Sequence, residues 1–86
     1  MTEPRAAAVA DELRTILAEV SGRDELRDIP ADTPLFGAGV GLDSLAGTLL
    51  LRQIKRRYDV DVAAEDLNLD SLATLGTLAD FVAART

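Results

Sequence analysis

Three stretches of the chain place apolar residues at helical spacing. In the first, Val9, Leu13, Ile16, Leu17 and Val20 share one stripe, and Asp11, Glu12, Arg14 and Glu19 lie off it. Thr2-Glu3-Pro4 reads as the start of this helix, and Gly22 as its left-handed terminal residue. The second helix runs from about Ser44 to Tyr58. Leu50, Ile54 and Tyr58 form its core stripe, with Leu51 and Gly47 beside them. Leu45, Thr48, Leu49 and Arg52 fall on another face. Leu45 and Leu49 therefore either pack beneath the preceding loop or form an exposed contact patch. The third helix starts at a Thr74 cap and continues to about Ala84, turning Leu75, Leu78, Ala79 and Val82 inward.

The connections are less regular. Residues 21–43 form a long loop with a short helical turn around Asp24 to Asp28 and scattered anchors at Leu26, Ile29, Leu35 and Phe36. Leu35 and Phe36 are expected to pin it to the core. Gly37, Gly39 and Gly41 leave its last part thin and mobile, open to another protein's backbone. Loops this long in small domains are more often functional than idle. Asp59-Val60-Asp61-Val62 alternates like a strand but has no partner strand, so it reads as an extended connector inserting Val60 and Val62 into the core. Glu65 to Asp70 is expected to form a short helix that buries Leu67 and Leu69.

The predicted fold is all-α: a small bundle of three main helices plus one short helix, with a long loop between the first two. Residues 1–86 make a single domain. The length of that loop lets the first two helices lie in either relative direction. Scarce aromatics, with Ala and Leu abundant, favour helix over sheet.

Composition narrows the function. The chain has neither Cys nor His, which removes disulfides, a thiolate site, any Ser-His-Asp triad and the commonest general base and metal ligand. An enzyme is not expected, nor is a metal site. No apolar run approaches the ~20 residues of a membrane span, and no signal pattern opens the chain, so a cytoplasmic protein is expected. A net charge of −6 argues against nucleic acid. That charge is unevenly distributed. Residues 44–58 carry no acid and four bases, Arg52, Lys55, Arg56 and Arg57, within an otherwise acidic chain. This basic helix is either a solvated face paired to the acidic segments or a docking face for a partner.

One stretch carries candidate chemistry. In Gly41-Leu42-Asp43-Ser44-Leu45, Asp43 is a good N-cap for the second helix. Ser44 falls in the first turn, near solvent, where the helix dipole favours an attached anion. A serine so presented can carry a phosphate ester. The same residues would also serve simply to cap a helix.

The stretch, in its context, resembles the acyl carrier protein family. The resemblance rests on Asp43-Ser44-Leu45 after Gly41, opening an amphipathic helix midway along an acidic chain. Pro34-Leu35-Phe36, the Tyr58-to-Val62 connector and Thr74-Leu75 extend it over nearly the whole chain. It implies a carrier without catalytic activity, with 4′-phosphopantetheine moved from coenzyme A onto Ser44, between Asp43 and Leu45, by a phosphopantetheinyl transferase. The arm's thiol would hold an acyl or aminoacyl group as a thioester. Further partners would be an acyltransferase, ketosynthase or adenylating enzyme, and the carrier would act as a monomer away from membranes.

Two features depart from the pattern or compete with it. Fatty-acid carriers usually have an acidic second helix with Glu five residues after the serine. Here that position is Leu49 and the helix is basic. This points to polyketide or nonribosomal peptide biosynthesis, with Leu49, Arg52, Lys55 and Arg56 as docking residues. A start at Met1 and an end soon after the last helix lead to the expectation of a free-standing carrier, with an excised module as the alternative. Arg57, beside Tyr58, is expected to pair with a nearby acid. Leu69-Asp70-Ser71-Leu72-Ala73 repeats the letters of Leu42 to Ala46, making Ser71 a second candidate, though no long amphipathic helix follows it. The competing reading of the whole chain is an unmodified interaction module that docks an acidic partner through its basic helix.

Overall fold

A computed structural model describes residues 4–86. Helix α1 spans Pro4–Ser21, α2 Ser44–Tyr58, α3 Val62–Glu65 and α4 Leu75–Ala83, with 3₁₀ turns at Asp24–Asp28 and Asp70–Leu72. The expected all-α bundle is present, and among the described residues the only extended pairing is an isolated bridge between Pro34 and Thr74. The expected helix start at Thr2 and Glu3 lies outside the described residues. None of the described helices is long and apolar enough to cross a membrane.

The helices form where their patterns place them. Helix α1 stops at Gly22, whose φ of 69° is a left-handed conformation that costs glycine nothing. Helix α4 begins with a reciprocal cap: Thr77 N–H donates to Thr74 Oγ1, and Thr74 N–H donates to Thr77 Oγ1. Leu13, Ile16 and Leu17 of α1, Leu50 and Ile54 of α2, and Leu75, Leu78 and Val82 of α4 meet in one fully buried core. Each such side chain contributes about 1.5–3 kcal/mol relative to exposure. Val60 and Val62 join this core, as their alternation predicts, although Val62 already opens α3.

The long loop is stitched down. Leu26, Leu35, Val40 and Leu42 are buried beneath it. Leu75 N–H donates to Thr33 O at 3.1 Å and Gly76 N–H to Ala31 O at 2.7 Å, tying the loop to the start of α4. Val40 N–H donates to Pro34 O at 2.8 Å, closing its last part on itself. Gly39 permits that closure, since a Cβ there would lie 2.1 Å from Pro34 O. This glycine therefore serves a close backbone approach.

Two expectations are corrected. Phe36 does not pin the loop from within. It is 42% exposed, and its ring lies on the α2 surface at Gly47. Leu35, Val40 and Leu42 fill the space beneath. Nor is there a helix from Glu65 to Asp70. Asp61 Oδ1 accepts from Ala64 N–H at 3.1 Å and starts a single turn earlier, at Val62. Asp66 then turns its carboxylate onto Ser71 N–H at 2.7 Å, and Leu69 adopts a left-handed φ of 56°. Leu67 is left 84% exposed and Leu69 40%, while Ser71 and Leu72 take the buried positions.

Candidate functional site

The site is built at the start of α2. Asp43 is extended (φ −89°, ψ 178°), and its Oδ1 accepts from Ala46 N–H at 2.7 Å. This satisfies one of the free donors of the first turn and fixes where the helix begins. Ser44 is the first helical residue and its side chain is exposed. Its carbonyl accepts from Thr48 Oγ1 at 2.8 Å. On the loop side, Leu42 is buried and its N–H donates to Leu35 O at 3.0 Å. Gly41 takes the left-handed turn (φ 71°) that brings the chain into this anchor. The serine is thus held between a buried leucine two residues before it and an exposed one just after, Leu45, which is 69% accessible.

An exposed hydroxyl at the positive end of a fifteen-residue helix suits an attached anion. Among the described residues, no cluster of three or more His, Cys, Asp or Glu residues forms.

The other residues singled out by sequence are divided by the structure. Leu45, Leu49, Arg52 and Arg56 recur at four-, three- and four-residue steps and so share one face of α2. Leu45, Arg52 and Arg56 are exposed, and Leu49 is half-buried. Lys55 lies 3.9 Å from Asp61, and Arg57 lies 3.7 Å from Glu19 of α1, the acid pairing expected of it. Among the described residues neither Arg52 nor Arg56 makes an ion pair. Tyr58, at the end of the helix, donates to Glu12, and burial followed by that contact raises its phenol above the ordinary range.

Ser71 is placed quite differently. It is only 8% exposed, and its Oγ finds no hydrogen-bond partner. Its N–H holds the Asp66 carboxylate, which lowers the Asp66 pKa below its ordinary value.

Sequence reasoning missed Val40 and Leu42 as anchors, although their alternation around Gly41 was a legible signal. It also missed Arg23. This residue follows the end of α1, and it donates from Nη1 to Val40 O at 2.7 Å and from Nε to Glu25 Oε1 at 3.1 Å. Arg23 lines a cleft of about 220 Å³ between the end of α1 and Gly41, Leu42, Asp43, Leu45 and Ala46.

Comparison with known proteins bears on this site. The family model for the phosphopantetheine attachment site matches residues 11–82. The D-alanyl carrier protein of Latilactobacillus sakei subsp. sakei (strain 23K) is 36% identical over 59 residues, covering 69% of this chain and 73% of that protein. No solved structure gives a significant match.

Proposed function

Because this chain belongs to the phosphopantetheine attachment-site family, whose members are non-catalytic carriers holding 4′-phosphopantetheine covalently, we propose that Ser44 is the residue that takes the arm. The observation that carries this is the exposed hydroxyl in the first turn of α2, directly after the Asp43 cap. The residues present fit the group. The serine is accessible to an enzyme, the helix end stabilises a phosphodiester, and Leu42 and Gly41 hold the approach in place. Ser71, buried and enclosed by the Asp66 turn, offers none of this.

In the loading step the Ser44 oxygen attacks the coenzyme A pyrophosphate and forms the new ester bond. Adenosine 3′,5′-bisphosphate leaves, and the hydroxyl proton passes to a base of the transferase. When bound, the arm supplies the thiol that this cysteine-free chain lacks, on which cargo is carried as a thioester. The residues of the chain itself hold the serine at the surface and present a docking face.

The cargo we assign is an acyl or aminoacyl unit of specialised biosynthesis, polyketide or nonribosomal peptide. Its aminoacyl form, charged by an adenylating enzyme, has support from the similarity to a D-alanyl carrier. Leu49, Arg52, Lys55 and Arg56 form the docking side of the reading, with Leu45 beside the serine. The absence of acids from α2 supports a partner surface that is acidic.

Intact-mass measurement after incubation with coenzyme A and a broad-specificity phosphopantetheinyl transferase tests the attachment. The expected result is one phosphopantetheine unit, mapped to the Ser44 peptide and absent from Ser44→Ala, while Ser71→Ala remains fully modified. Modification mapped to Ser71 would refute the assignment.

A further inference from the structure

The cleft beside α2 has two kinds of wall. Val20, Leu45 and Ala46 give it apolar surface, and Arg23 gives it a cation. Both chain neighbours of Ser44, Asp43 and Leu45, line it. The Arg23 side chain is 44% exposed but is not free to sweep through solvent, since Nη1 is tied to Val40 O and Nε to Glu25. Its Nη2 makes no hydrogen bond among the described residues, leaving donors for an anion. The Asp43 carboxylate also borders the cleft, but Oδ1 is engaged by Ala46 N–H, which offsets part of its repulsion toward a second negative charge.

We propose that this cleft seats the proximal end of the arm, with the phosphodiester facing Arg23 and the geminal methyl groups of the pantoyl unit on Val20, Leu45 and Ala46. The assignment rests on Ser44 being the attachment residue. Charge complementarity selects the occupant. A covalent phosphodiester on Ser44 is anionic, and the free Nη2 of the guanidinium lining the cleft can donate a charge-assisted hydrogen bond to one of its oxygens. The cations of α2 cannot substitute, since Arg52 lies eight residues from Ser44, about 12 Å along the helix. Size limits what enters. At about 220 Å³ the cleft falls below the ≈ 300–1,000 Å³ of pockets that enclose drug-sized ligands. The thiol end and its cargo therefore stay outside, within reach of partner enzymes, while the phosphate end is steered toward α1.

The test uses the holo protein, with the arm on Ser44 verified by peptide mapping, and reads the arm by NMR. Nuclear Overhauser contacts are expected from the pantoyl methyl protons to the methyl groups of Val20, Leu45 and Ala46. The phosphorus resonance is expected to shift in Arg23→Gln and to return part of the way in Arg23→Lys. Because Arg23 also ties the loop through Val40 O, Ser21→Leu serves as a second variant. It adds bulk to the cleft and leaves that tie intact, and should cut the contacts by at least half. Core methyl resonances of Leu13 and Ile54 should stay in place in both the apo and holo forms of each variant. An arm on Ser44 that shows no such contacts, or the same contacts in Ser21→Leu and Arg23→Gln as in the wild type, overturns the cleft assignment alone. An arm mapped elsewhere overturns the attachment site and the cleft together.

Discussion

The ring of Phe36 lies over Gly47, with two ring carbons 3.5 Å from where a β-carbon on Gly47 would sit. Gly47 is three residues after Ser44, so the two share a side of α2.

That distance is ordinary van der Waals contact, and Gly47 is inside a helix. Gly47→Ala should therefore stabilise the fold by up to about 1 kcal/mol, from helix propensity alone. Gly39→Ala should do the opposite, because its β-carbon would meet Pro34 O at 2.1 Å. Overpacking of that kind costs about 1–3 kcal/mol. Thermal melting of the two variants checks both signs, and a lower melting point for Gly47→Ala would show that Phe36 cannot accommodate a methyl group.

Leu50→Ala and Ile54→Ala should each cost about 2–5 kcal/mol, since both side chains are fully buried. Leu45→Ala should stay within about 0.5 kcal/mol, as surface changes do. Leu49→Ala, half-buried, should fall between them. Denaturant unfolding of the four variants measures the ranking directly.

The double change of Arg52 and Arg56 to Glu should slow loading by the cognate partner at low salt, with a smaller loss at high salt. Helix content should not change, because Arg and Glu have similar propensities. Loading kinetics against salt give the readout. An unchanged rate at low salt would make the stripe a solvated face and nothing more.

Asp66 links the fold to pH. Its carboxylate is stabilised in the folded state first by the Ser71 backbone N–H, so its folded pKa lies below the unfolded one, near 3.8. The stabilisation is fully present above that unfolded value and is lost as pH falls through the depressed folded pKa. Asp66→Ala should lower stability at neutral pH and flatten its decline in acid, as read by unfolding curves between about pH 2 and pH 6.

Much of this was legible in the sequence. The bounds of α2 follow from Asp43 and the Leu50–Ile54–Tyr58 spacing, and those of α4 from the Thr74 cap. These signals are local, and nothing in the tertiary structure overrides them. Leu67 and Leu69 were misread because apolar character was weighed without the turn chemistry of Asp66, whose carboxylate takes a backbone N–H five residues on. Phe36 was misread because nothing local says which of two adjacent apolar residues faces inward. The Arg23 cleft arises where the end of α1 meets residues about twenty positions later, and no periodicity encodes that meeting.

The chain spells Leu-Asp-Ser-Leu-Ala twice, and the two copies have opposite fates: Ser44 stands open to solvent and Ser71 is sealed in. To an enzyme that read letters alone, the freshly made polypeptide would offer twin targets. Folding withdraws one of them. On the attachment proposed at Ser44, the tertiary structure acts as a proofreader, and a chain handled before it has folded is the one that offers Ser71 as well.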